Sequence, residues 1–126
     1  MTKSEALTGV RVYDASQGVA GPHAAMLMAL NGADVIKVER PGQGDDTRHW
    51  GPPWLNDSDG NALSDSAYYL AANRNKRSIC CDFSQRDGAR IVRRLVAKSD
   101  VVIENLAPGS MKRLGLGYND VAAVNP

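Results

Sequence analysis

The chain has 126 residues, 43% of them hydrophobic, enough for one modest domain with a core. Its 15 Lys and Arg nearly balance 14 Asp and Glu, which excludes the strongly basic surface of a nucleic-acid binder and leaves only local pockets for anions. It has no apolar run of about eighteen residues, and the opening MTKSEALTG lacks the apolar stretch of a secretory leader, so the expectation is a cytoplasmic protein with reduced thiols and no membrane span.

Taken in chain order, VRVYD (10–14) is a short β-rich run ending in Asp14. The loop ASQGVAG leads to Pro22, placed to open a helix because a first helical residue needs no N–H. PHAAMLMALN (22–31) is apolar almost all round, which predicts a helix buried on most sides, ended by Gly32. DVIKVER (34–40) is a second strand, and strand, helix and strand within about thirty residues make a βαβ unit with a parallel pair. Residues 41–64 are rich in Gly, Pro, Asp and Asn and read as a long functional loop. DSAYYLAAN (65–73) is a short helix and RSICCDF (77–83) a third strand. SQRD (84–87) has capping-box spacing, with Asp87 in place of the usual Glu or Gln, and opens an amphipathic helix with Ile91, Val92, Leu95 and Val96 on one face. DVVIEN (100–105) suits a strand covered on both faces. PGSMKRLGLGY and NDVAAVNP give two short helices, the second capped by Asn119. The order β-α-β-loop-β-α-β-α predicts an α/β fold, a Rossmann-like doubly wound parallel sheet. It breaks off where a fifth strand is due, so residues 1–126 read as the N-terminal part of a larger domain.

The densest chemistry is NRNKRSICCD (73–82). Its cysteines are adjacent, and neighbours on a strand point to opposite faces, which argues against a disulfide. The spacing of a redox pair or a metal site is absent, so no metal is expected. Cys80 is then a small buried residue, and Lys76 and Arg77 are either phosphate contacts or a solvated strand entrance. Ligands of an open parallel sheet bind beyond the carboxyl ends of its strands, here DASQGVAGP, ERPGQGD, CDFS and ENLAPG. Glu39 stands about where an acid would hold a ribose hydroxyl, but the first turn offers only Gly18 and Gly21 and not the three-glycine dinucleotide fingerprint.

GVRVYDASQGVAGPHAAMLMALNGADVIKVERPGQGDDTRHWGPP, AYYLAANRNKRSICCDF and DVVIENLAPGSMKRLGLGYNDVAAVNP together resemble the N-terminal part of class III coenzyme A transferases. That family includes formyl-CoA and carnitine-CoA transferases, with α-methylacyl-CoA racemases as relatives; NRNKRS favours the transferases. The resemblance implies a Rossmann-like domain, an interlocked homodimer, and acyl-CoA with a carboxylic acid acceptor as substrates. It implies chemistry in which an aspartate attacks the acyl-CoA thioester, and the mixed anhydride then becomes an enzyme-bound CoA thioester. None of Asp14, Asp34, Asp45, Asp46 or Asp82 matches that aspartate, which falls beyond residue 126 in the family pattern, so no catalytic residue is assigned and the chain alone is expected to be inactive. The alternatives are a racemase or epimerase working by proton transfer, or a non-catalytic nucleotide-binding module.

By the same resemblance, Val19 and Ala20 follow the pantetheine and Arg40 meets the nucleotide end. Cys81, Asp82, Phe83 and Ser84 lie beside the adenine, Asn105, Leu106 and Ala107 form the fourth strand end, and Arg113 binds phosphate. The sequence departs from the family at CCDF, where an LDL-like run is common, at Asn31, and at ENLAPG, where ENFRPG is usual.

Overall fold

A computed structural model describes residues 5–126; the opening MTKS, part of the stretch read as lacking a leader, lies outside them. The main sheet has four parallel strands: β1 (Arg11–Asp14), β2 (Asp34–Glu39), β5 (Arg77–Cys80) and β6 (Val101–Ile103), in the spatial order β5-β2-β1-β6. Alternate residues of β1 face opposite layers. Val12 packs with Val35, Ala25 and Ala29 against helix α1 (Ala20–Leu30). Tyr13 packs with Val38, Val92 and Val96 against helix α3 (Arg86–Val96). Helices on both faces make the sheet doubly wound, as expected. Val12, Val35 and Val92 are almost fully buried, and each such side chain contributes about 1.5–3 kcal/mol.

Several local expectations are corrected. Helix α1 begins at Ala20, placing Pro22 inside its first turn. The helix is not buried on most sides, because Leu27 and Leu30 remain exposed. Gly32, at φ +97°, follows its end as predicted. The loop 41–64 carries structure of its own: a 3-10 turn (Asp46–His49) capped by Asp45, then an antiparallel hairpin of β3 (Trp54–Asn56) and β4 (Ala62–Ser66). Asp57 ties the hairpin's tip by accepting from the Asp59 and Asn61 amides at 2.9 Å each. Ser66 ends β4 and caps helix α2 (Ala67–Asn73) through the Tyr69 amide, so Asp65 is strand rather than helix.

The third strand stops at Cys80 because Asp82 folds the chain into a tight turn, accepting from the Ser84 amide at 3.0 Å and from its hydroxyl. Ser84 is thereby engaged, and the capping box expected at 84–87 does not form; α3 starts from Gln85 without a side-chain cap. The final helices are α4 (Ser110–Arg113) and α5 (Tyr118–Ala122). Gly117, not Asn119, begins α5, its amide donating to Asp120 at 3.0 Å. Cys80 and Cys81 do point to opposite faces, but with reversed burial: Cys80 is exposed, and Cys81 joins the core beside Tyr13 and Val38.

Candidate functional site

Counting only the main-sheet strands in chain order, the spatial order is 3-2-1-4, so the direction of winding reverses between β1 and β6. Loops leaving two neighbouring strands in opposite directions open a crevice at their carboxyl ends. A cleft of about 520 Å³ lies there, lined by Gln17 and Gly18 after β1, Arg40 and Asp46 after β2, Trp50, Phe83 after β5, and Asn105, Leu106 and Ala107 after β6. It offers one guanidinium, two aromatic rings and backbone groups at a sheet edge. Trp50 meets Tyr68 edge-on with ring centres 5.8 Å apart, which braces its ring.

Of the residues assigned from the sequence, Arg40, Phe83, Asn105, Leu106 and Ala107 come together in this cleft. Val19 and Ala20 are exposed at the start of α1, just past the lining. The Cys81 side chain is not at the pocket edge: it is core, its thiol donates to the Gly88 carbonyl, and burial, then the nearby Asp82 carboxylate, pushes its pKa up. Asp82 and Ser84 bond each other in the turn that presents Phe83. Arg113 lies one helical turn past Ala107 on an exposed surface, donating to the Ser110 hydroxyl at 2.9 Å. Sequence reasoning did not assign Gln17, Gly18 or Asp46, and left Trp50 open between lining an acyl entrance and packing the loop; Gln17 and Gly18 lie in the loop after β1, and Asp46 and Trp50 in the long loop after β2.

Four of the lining side chains, those of Gln17, Arg40, Asp46 and Asn105, already have partners. Asn105 clamps Gln17: its Oδ1 accepts from the Gln17 amide at 2.8 Å and its Nδ2 donates to the Gln17 carbonyl at 2.7 Å. The Asn105 side chain therefore braces the first loop, and its strand end offers mainly backbone to a ligand. Arg40 Nη2 donates to Gln17 Oε1 at 3.0 Å and to the Asp46 carboxylate. An incoming anion competes with Asp46 for Arg40 Nη2.

Residues 7–126 match CoA-transferase family III. The chain belongs to that family. It is 48% identical over 120 residues to the succinyl-CoA:glutarate CoA-transferase of Mus musculus, covering 95% of this chain and 26% of that protein. It is 43% identical over 126 residues to the formyl-CoA:oxalate CoA-transferase of Bradyrhizobium diazoefficiens, covering 100% of this chain and 28% of that protein. Among solved structures, a CAIB/BAIF family protein from Brucella suis superposes with a TM-score of 0.89 at 45% identity, over 98% of this chain and 32% of that one. The chain thus spans about a quarter to a third of the length of these relatives.

In this family III chain, Glu39 does not stand free for a ribose. It is buried under Arg48, which donates to its two oxygens at 2.8 and 2.9 Å, while Tyr69 and Ser78 donate to it at 3.0 and 2.6 Å. Burial alone would raise the Glu39 carboxyl, but the bonds from Arg48, Ser78, the Asp45 amide and Tyr69 pull it down to about 2. Arg48 also lies over the Tyr69 ring at 3.7 Å and pairs with Asp65. This cluster pins the 3-10 turn to β2 and so places Asp46 and Trp50 at the cleft. Lys76 is not at a solvated entrance, because it pairs with Asp14 in the interior, whereas Arg77 is exposed at the start of β5, where it pairs with Asp34.

Proposed function

We propose that this chain is the CoA-binding portion of an acyl-CoA:carboxylate CoA-transferase, and that the cleft between β1 and β6 takes the CoA moiety. The observation that carries the reading is the convergence of the Arg40 guanidinium with the Trp50 and Phe83 rings at the point where the strand order reverses. A planar guanidinium suits phosphate oxygens, and aromatic faces suit an adenine. Family membership and the CoA-transferase names of the similar proteins favour transfer between carboxylates over racemisation.

In this reading Arg40 exchanges Asp46 for a phosphate, Asn105 keeps the Gln17 loop in place, and Phe83 borders the base. Arg113 adds a second phosphate contact for a ligand that runs past Ala107. The aspartyl nucleophile is supplied by polypeptide outside positions 1–126, and the assembled enzyme is a homodimer.

Calorimetry with CoA on the polypeptide that carries this chain tests the site. Arg40→Ala is expected to weaken binding about tenfold or more, the scale of one charge-assisted contact. Parent affinity in both Arg40→Ala and Arg113→Ala would remove the assignment.

A further inference from the structure

Four ionised side chains lie beneath the cleft, each no more than 2% exposed. Lys37 Nζ is 2.8 Å from Asp45 Oδ2, and Lys76 Nζ is 2.8 Å from Asp14 Oδ2. Asp45 Oδ2 has no hydrogen bond among the described residues, so the Lys37 contact is one of charge. Burial pulls the Lys76 ammonium below its ordinary range, opposed by the Asp14 carboxylate.

Such a group is a poor source of stability. Desolvating each ion costs several kcal/mol, and well-packed apolar residues commonly do as well or better. What distinguishes this cluster is where its remaining bonds go. Lys37 donates to the Ser16 carbonyl at 2.8 Å. Asp14 Oδ1 accepts from the Ser16 amide at 3.0 Å and from the Ser16 hydroxyl. Asp45 Oδ1 accepts from the Gly18 amide at 3.3 Å while also capping Thr47. Lys76 reaches the Pro22 carbonyl, just past the loop in α1, at 2.8 Å. The segment from Ser16 to Gly18 is thus held by charged groups at three main-chain atoms, and Gln17 between them contacts both Arg40 and Asn105.

We infer that Asp14, Lys37, Asp45 and Lys76 are positioning residues for ligand binding: they fix the Ser16–Gly18 loop, and through Gln17 they set Arg40 and Asn105 in the geometry the cleft requires. The inference rests on the reading of that cleft as the CoA site. It assigns the two lysines a role through the loop rather than contact with the ligand. Charge-anchored main chain is a rigid support, since moving the loop would strand a buried charge.

The test is the double variant Asp14→Asn/Lys76→Met, which removes one pair without leaving a lone buried charge. Two readouts are taken on the polypeptide that carries this chain: deuterium uptake across residues 15–19, and calorimetric affinity for CoA. Uptake is expected to quicken at least tenfold there with little change in the rest of the sheet, and CoA affinity to fall at least tenfold. Parent-like uptake overturns the inference whatever the ligand does. Faster uptake with unchanged CoA affinity overturns it too, because the loop would then be held for no purpose in binding. A parent that does not bind CoA at all instead removes the proposed function, while the uptake result still decides whether the ions hold the loop. Should the double variant fail to fold, Ser16→Ala, which deletes only one hydroxyl, is read in the same two ways. The expected changes are then about threefold, and parent values in both overturn the inference.

Discussion

The arginine at the cleft is masked by a carboxylate of its own chain, and that gives a prediction of unusual sign. Asp46→Asn is expected to tighten binding of a phosphate-bearing ligand. The side chains of Arg40 and Asp46 are 45% and 59% exposed, so their pair contributes at most about 1 kcal/mol. A phosphate taking Arg40 gives up that pair and sits beside the displaced carboxylate. Two unit charges about 6 Å apart in water repel by ~0.7 kcal/mol. Removing both penalties amounts to about 0.7–1.7 kcal/mol, a gain of about three- to twentyfold in affinity at low salt. Asp45, the residue that caps the 3-10 turn, is untouched by this change.

The assay is calorimetry with adenosine 3′,5′-bisphosphate, with pantetheine as a ligand that carries no phosphate. The gain should appear for the bisphosphate alone. At roughly 0.5 M salt, where screening acts within about 4 Å, it should shrink to about twofold. Equal or weaker bisphosphate binding by Asp46→Asn at low salt would refute the reasoning, because Arg40 would then not be the group the phosphate seeks. An equal gain for pantetheine would refute it as well, by pointing to a change of cleft shape rather than charge.

Three further outcomes can be checked directly. Glu39, held at about 2 against an ordinary 4.5, contributes stability that is complete above about 4.5 and lost as pH falls from there toward about 2. The contribution is at most about 3 kcal/mol, so urea unfolding of Glu39→Gln should show a shallower pH slope in that window and lower stability at neutral pH; an unchanged slope would count against the buried Arg48 pairing. Gly88→Ala places a Cβ 1.9 Å from the Asp82 carbonyl oxygen; it should destabilise by about 1–3 kcal/mol and weaken CoA binding by shifting Phe83, and an unchanged melting temperature would contradict the close approach of α3 to that turn. Of the two thiols, exposed Cys80 should react with a disulfide reagent in the folded protein and core Cys81 only on unfolding, as peptide mapping of the labelled chain would show.

How much of this was legible depends on where each residue finds its partner. The parallel strands declare themselves through β-branched and aromatic residues, Val12 and Tyr13 in RVYD and Val35, Ile36 and Val38 in DVIKVE. The β3–β4 hairpin was hidden because ALSDS has little strand propensity. It is held instead by local polar bonds, through Asp57 at the tip and from the Ser66 hydroxyl to the Thr47 carbonyl. The rule that ligands gather at strand ends, sharpened by the family resemblance, pointed to Arg40, Phe83 and the 105–107 segment, which the fold brings to one cleft. What it does not reveal is that the Asn105 amide, while lining the cleft, is bonded to the Gln17 main chain.

Lys37 shows the limit most plainly. A lysine inside an apolar strand announces that a buried cation needs a carboxylate. Asp45, only eight positions on, appeared to be one of many acids in a loop. Lys76 finds Asp14 at a separation of 62 residues, and only the packing of α2 against α1 and the pairing of β5 with β2 bring the two together. Sequence pattern therefore reveals the demand for a counter-ion, while topology decides which carboxylate answers it. Because the two answers both converge on Ser16, the buried lysines belong to the cleft's support, which neither lysine discloses alone.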